Sequence, residues 1–177
     1  MTPLITDNFL EPNDFQNLQM LMLGEDLPWY YMDKIDYPDD DHDPDKFQFT
    51  HAFYGGDKGP YTDYRAIVYE QFHFIRDPYR IKANLIPKTS EIKIGRFHTD
   101  IPKKHLAESH TTSIFYVNTN NGYTEFEDGT IIESVANRFV TFPTVMRHRG
   151  TSCTDKKIRV VINFNYSKGD NGSTSRE

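Results

Sequence analysis

The 177-residue chain carries 26 Asp plus Glu against 20 Lys plus Arg, a net charge of -6 that works against loose binding to phosphate backbones or anionic lipid. Its length suits one domain, and its 13 Phe and 11 Tyr form a core payload that an unfolded scaffold does not carry. Residues Met1 to Asp7 hold neither a basic run nor an apolar one, so no signal peptide and no membrane span are expected.

Residues 12–23 read as a helix: Pro12 suits a first turn, Phe15, Leu18 and Met22 repeat at helical spacing, and Gly24 supplies a stop. A second helix is expected over 62–75, with Tyr64, Ile67, Val68, Gln71, Phe72 and Ile75 on one stripe and Asp77-Pro78 ending it. Between them, residues 33–45 hold seven aspartates around Pro38, His42 and Pro44. That stretch lacks glycine-centred calcium spacing and reads as a solvated loop whose functional role is that of a flap near a site. Phe47 to Phe53 alternates like a strand and stops at Gly55-Gly56.

From Tyr79 onward the period is two, with strands expected near 79–86, 91–98, 112–118, 123–127, 130–135, 138–142 and 158–166. Turns separate several of them at Pro87 to Ser90, Asn120 to Gly122, Glu127 to Gly129 and Ala136-Asn137. Short strands with frequent turns predict a mainly β sandwich or barrel of the jelly-roll type, braced outside by the two helices. Residues 167–177 read as a disordered tail. The single cysteine, Cys153, cannot form an internal disulfide, so a reducing, cytoplasmic setting is expected, and its Thr/Ser/Lys-rich turn gives it no role as a nucleophile.

The chemistry concentrates at His98-Thr99-Asp100, where the strand 91–97 runs out. In an extended chain residues two apart point to the same side, so the imidazole and carboxylate converge. A third ligand must come from elsewhere, and His148 follows the apolar strand 138–143 by a few residues. Two histidines and one carboxylate on one face leave open the positions that non-haem Fe(II) oxygenases use. His105 and His110 offer a rival local set with His98 and Asp100, of the kind a zinc site uses, although Lys103-Lys104 beside them repels a cation. His42, His51 and His73 are scattered and read as surface or core residues.

Arg159 adds an independent signal, since a guanidinium inside the apolar run Ile158 to Phe164 is costly unless an anion meets it. The partner is either a protein carboxylate or a bound dicarboxylate whose far end takes bidentate hydrogen bonds. On strand 112–118, Thr112, Ile114, Tyr116 and Asn118 share a face. On strand 79–86, Arg80, Lys82 and Asn84 share a face opposite Ile81, Ala83 and Leu85, and line either a pocket mouth or the solvent side.

Together, His98-x-Asp100, His148 and Arg159, in that order and spacing, resemble the Fe(II)- and 2-oxoglutarate-dependent oxygenases, a superfamily built on the double-stranded β-helix; the likeness covers residues 78–166. Thr112 to Asn118 followed by Asn121 to Phe126 is similar to the strand-turn-strand of the prolyl-hydroxylase branch, with Asn121-Gly122 where that branch shows a glycine pair. Arg80 to Leu85, Asp128-Gly129 and Asn137-Arg138 look like a compact phage and bacterial form. The resemblance implies a single oxygenase domain over 1–166 and Fe(II) held by His98, Asp100 and His148. It further implies 2-oxoglutarate and O2 as cosubstrates, with Arg159 and the Tyr116 hydroxyl on the distal carboxylate of 2-oxoglutarate. The implied reaction is hydroxylation of a C–H bond, first in a peptidyl, prolyl-type substrate and second in a free metabolite, with nucleic acid disfavoured by the net charge. Two other readings stay open: a cupin-like metalloenzyme, which has no use for Arg159, and a non-catalytic jelly-roll binding module, which takes up no stoichiometric Fe(II).

Overall fold

Alternation of inward and outward side chains sets the architecture of the computed structural model, which describes residues 2–33, 46–55 and 64–168, apart from the side chains of 65–67. Four strands, β4 (Pro78–Pro87), β5 (His110–Tyr116), β8 (Arg138–Pro143) and β10 (Ile158–Ser167), form the middle of a seven-stranded antiparallel sheet. The N-terminal strands β1 (Leu4–Thr6), β2 (Tyr30–Met32) and β3 (Gln48–Gly55) extend it in the order β1-β8-β5-β10-β4-β3-β2. A second, three-stranded sheet has the order β7-β6-β9, from β6 (Tyr123–Phe126), β7 (Ile131–Glu133) and β9 (His148–Gly150). The two sheets pack face to face through Ile114, Tyr116, Val140, Phe142 and Val161 from the large one and Phe126 and Ile132 from the small one. This is the expected jelly roll, a double-stranded β-helix.

The outer face of the large sheet is the main core. There Ile81, Phe115, Phe139, Val160, Ile162 and Phe164 meet Leu18 and Met22 of α1 (Pro12–Leu23) and Val68 of α2 (Arg65–Gln71). Phe72, at the end of α2, sits 4.6 Å from Phe164 and 5.2 Å from Phe115, ring centre to ring centre. Helix α1 has the predicted bounds, and Gly24 follows it at a place where only glycine fits: a Cβ there would lie 2.5 Å from the Met20 carbonyl oxygen. Because this face takes the apolar residues of β4 and β10, their alternate residues Arg80, Lys82, Asn84, Arg159, Val161 and Asn163 all face the space between the sheets. No helix among the described residues is long and apolar enough to cross a membrane.

Several expectations are corrected. Residues 91–98 form no continuous strand; they run beside β9 through two isolated bridges, Ile94 to Thr151 and His98 to His148. A third helix, α3 (Lys104–Ser109), has only six residues and one buried apolar side chain, Ala107, too little for a periodic signal. The second helix is shorter than expected, ending where Phe72 leaves helical geometry, although Ile75 is still buried. Of the expected tail, Ser167 belongs to β10 and the Lys168 amide donates to the Ser109 carbonyl at 2.9 Å. The rest of the acidic segment after Asp33, with His42 and its proposed role as a flap, and residues 169–177 lie outside the described residues.

Candidate metal centre and cosubstrate pocket

The two histidines are brought together by backbone pairing. His98 N–H donates to the His148 carbonyl at 2.9 Å and His148 N–H to the His98 carbonyl at 3.0 Å, so the two side chains stand opposite each other on one side of the bridge. Their rings lie 4.9 Å apart. Asp100, two residues along, completes the group: one ligand atom from each of His98, Asp100 and His148 lies within 4.8 Å of the others. Among the described residues this is the one such cluster. His105 is exposed on α3, and His110 turns its Nδ1 to the Leu106 carbonyl at 2.6 Å, so the rival zinc set is not assembled.

Hydrogen bonds fix the chemistry of these donors. His98 Nδ1 and His148 Nδ1 lie 3.0 and 3.2 Å from the carbonyls of Arg96 and Met146, which as acceptors require N–H on that nitrogen and leave Nε2 as the lone-pair atom. Burial pushes the His148 pKa down despite the pull of Asp100, which keeps the ring neutral as a metal ligand must be. Asp100, with a side chain only 4% exposed, is held at both oxygens. Arg80 Nη2 donates to Oδ1 at 2.9 Å, Asn165 Nδ2 donates to Oδ2 at 3.0 Å, and Arg80 Nε closes the ring on Asn165 Oδ1 at 3.1 Å. Burial alone would raise the Asp100 pKa; Arg80, the two histidines and the Asn165 hydrogen bond outweigh it and hold the carboxyl well below the usual range.

Arg159 is 3% exposed, and its guanidinium crosses from β10 to the small sheet. Nε donates to Ser134 Oγ at 2.9 Å, and Nη2 reaches Thr124 Oγ1 at 3.3 Å and the Tyr123 carbonyl at 3.4 Å. Among the described residues no carboxylate pairs with it; burial lowers its pKa and only Tyr116 and Cys153 push back. A guanidinium keeps its charge under such conditions, so this is a buried cation without an anion among the described residues. Gly122 packs directly beneath it: a Cβ there would lie 2.7 Å from Arg159 Cδ and 2.6 Å from the Ser152 carbonyl oxygen, so this half of the expected glycine pair has no substitute. Cys153 is fully buried, in keeping with a structural thiol.

Tyr116 departs from expectation. It is fully buried but is not among the residues lining the cavity, and its hydroxyl donates to Thr124 Oγ1 at 2.8 Å. Thr124, itself buried, takes the place on the cavity wall instead. Its oxygen accepts from both Tyr116 and Arg159, which leaves the Thr124 hydroxyl hydrogen for the cavity. A threonine in a β-strand carries no sequence signal, and Arg80 and Asn165 were equally silent as partners because strand register alone brings them together.

His98, Asp100, His148, Thr124 and Arg159 open on one cavity of about 310 Å3 between the sheets. Arg80, Lys82 and Asn84 line it too, which decides between the two places open to that face in favour of the pocket.

No protein-family model and no curated protein matches the chain. Solved structures do match its fold. An oxidoreductase of the 2OG-Fe(II) oxygenase family from Burkholderia pseudomallei has a TM-score of 0.65 at 10% identity, over 93% of this chain and 85% of that one. A Pseudomonas putida prolyl-4-hydroxylase has a TM-score of 0.61 at 13% identity, over 94% and 92%. A Trichoplax adhaerens prolyl hydroxylase in complex with a hypoxia inducible factor peptide fragment has a TM-score of 0.60 at 12% identity, over 99% and 87%.

Proposed function

We propose that this chain is an Fe(II)- and 2-oxoglutarate-dependent dioxygenase that hydroxylates a C–H bond in a peptidyl, prolyl-type substrate. The observation that carries this reading is that two imidazoles and a carboxylate within 4.8 Å share a cavity with a buried guanidinium for which no protein carboxylate is found among the described residues. The donor set fits ferrous iron: two neutral nitrogens and one anionic oxygen on one side leave adjacent positions for a chelating keto-acid and O2. When bound, iron supplies the redox chemistry that couples decarboxylation of 2-oxoglutarate to hydroxylation.

The protein's own residues bind and orient. His98 and His148 present Nε2, and Asp100 presents an oxygen whose direction is set by Arg80 and Asn165. Arg159 and the Thr124 hydroxyl take the distal carboxylate of 2-oxoglutarate, with Tyr116 acting through Thr124. The peptidyl class is supported by the Trichoplax adhaerens likeness, whose structure holds a peptide fragment.

The test is succinate release on adding Fe(II), 2-oxoglutarate and proline-containing peptides. The expected result is release that depends on both iron and keto-acid and rises with peptide. Turnover without keto-acid would instead favour a cupin-like enzyme, and no stoichiometric Fe(II) uptake a binding module. A narrower expectation concerns the support of Asp100. Asn165→Leu removes the donor to Oδ2 and is expected to weaken Fe(II) or Co(II) binding about 10- to 100-fold in equilibrium dialysis, the usual cost of losing such an outer partner. Unchanged metal affinity would show that Arg80 alone suffices.

A further inference from the structure

Strand pairing sets the floor of the cavity. On β10 the inward residues run Arg159, Val161, Asn163, Asn165, and register places Asn84 of β4 opposite Val161. Asn84 and Asn163 are therefore diagonal neighbours on one face of the sheet, and both line the cavity. Residues in that relation stand roughly 7–8 Å apart. Asn163 is also two residues from Asn165, the partner of Asp100, so the pair lies on the metal side of the floor.

Each of these carboxamides buries an oxygen that has no hydrogen-bond partner among the described residues, and Asn84 as a whole is only 8% exposed. A buried acceptor in that state costs stability until a donor reaches it. The cosubstrate cannot be the donor, because a fully ionised keto-diacid has no proton to give. Solvent can serve both oxygens while the pocket is open, but a substrate that displaces it has to replace those bonds or lose affinity.

The spacing of the two acceptors fits one kind of donor array. In an extended chain the N–H groups on one side recur every second residue, roughly 7 Å apart. The residue between them turns away from that side, so a proline there forfeits no hydrogen bond. The described lining has no Phe, Tyr or Trp on which a prolyl ring could stack, which puts recognition on the main chain. From these observations we infer that the substrate is an extended peptide segment whose main-chain N–H groups just before and just after the target proline donate to Asn84 and Asn163. This inference rests on the dioxygenase reading and states how that site recognises its substrate.

The experiment uses fluorescein-labelled Ala-Ala-Pro-Ala-Ala and three analogues in which lactate replaces the alanine before the proline, the alanine after it, or the last alanine, each exchanging one amide N–H for an ester oxygen. Binding is followed by anisotropy on protein loaded anaerobically with Fe(II) and 2-oxoglutarate. Either ester beside the proline is expected to bind about ten-fold or more weakly, because it leaves a buried acceptor unmet. The ester at the last alanine, whose N–H points the other way, should bind like the parent. Asn84→Leu should remove the penalty at one of the two positions and Asn163→Leu at the other, since no acceptor is then left unmet. Each readout is a ratio of two peptides on the same protein, so partial misfolding of a variant does not mimic the result. No penalty beside the proline, an equal penalty at all three positions, or penalties that survive both substitutions would overturn the inference. If the keto-acid chelate forms but the parent peptide does not bind, the inference fails while the dioxygenase reading stands. If the ester pattern appears but no chelate forms, the dioxygenase reading fails, and with it the assignment of the peptide as a hydroxylation substrate.

Discussion

Alanine at any one of His98, Asp100 or His148 is expected to reduce iron-dependent turnover to background, while His105→Ala and His110→Ala keep it per folded molecule. The asymmetry follows from geometry. The first three place their donor atoms within 4.8 Å of one another, whereas His105 is exposed on α3 and His110 is engaged with the Leu106 carbonyl. Losing one of three protein ligands from a small open site should cost about 3 kcal/mol or more of metal binding, a hundred-fold or greater loss of affinity. Metal titration separates this from misfolding, since the three variants should keep a cooperative unfolding transition and lose the metal-linked rise in Tm. Equal loss from the His105 and His110 variants would move the centre to the local zinc-type set.

Arg159→Ala is expected to raise the 2-oxoglutarate requirement about 10- to 100-fold, because a charge-assisted hydrogen bond in a buried site is worth about 1.5–3 kcal/mol. The variant should still take up iron, since the hydrogen bonds of Arg159 go to Ser134, Thr124 and the Tyr123 carbonyl and not to the three ligand side chains. Thermal shift gives a second readout: the wild-type protein should gain stability from 2-oxoglutarate in the presence of metal, and Arg159→Ala should gain much less. Arg159→Lys restores the charge but not the fork, so partial recovery is expected. An unchanged KM for 2-oxoglutarate would remove Arg159 from the cosubstrate pocket.

The readable part of this site was what strand periodicity and chemical oddity expose. His98 and Asp100 are two apart in an extended run, and Arg159 interrupts an apolar strand, so both stood out without a structure. His148 stood out because it follows a strand and offers the third donor that a His-x-Asp pair lacks. What stayed hidden depends on register between distant strands. Arg80 lies opposite Asn165 only because β4 and β10 pair as they do, and that pairing turns an ordinary polar face into the clamp on Asp100.

Tyr116 and Thr124 show the same limit within one motif. Residue type favoured the tyrosine hydroxyl as the group facing the keto-acid, but packing between the sheets buries it and hands the cavity position to the threonine it bonds. The jelly roll was legible from the spacing of strands and turns, yet β1, β2 and β9 have three residues each and show no alternation to read. The large sheet therefore reaches further toward the N-terminus than the core of 78–166 that the likeness covered.

The most direct test of the central claim is anaerobic titration of the metal-free protein with Fe(II) and 2-oxoglutarate, followed by visible absorption. A charge-transfer band that saturates at one iron per chain, is absent in His98→Ala, Asp100→Ala and His148→Ala, and needs far more 2-oxoglutarate in Arg159→Ala is the predicted result. Saturating iron and keto-acid with no band, or a band indifferent to all four substitutions, would contradict it.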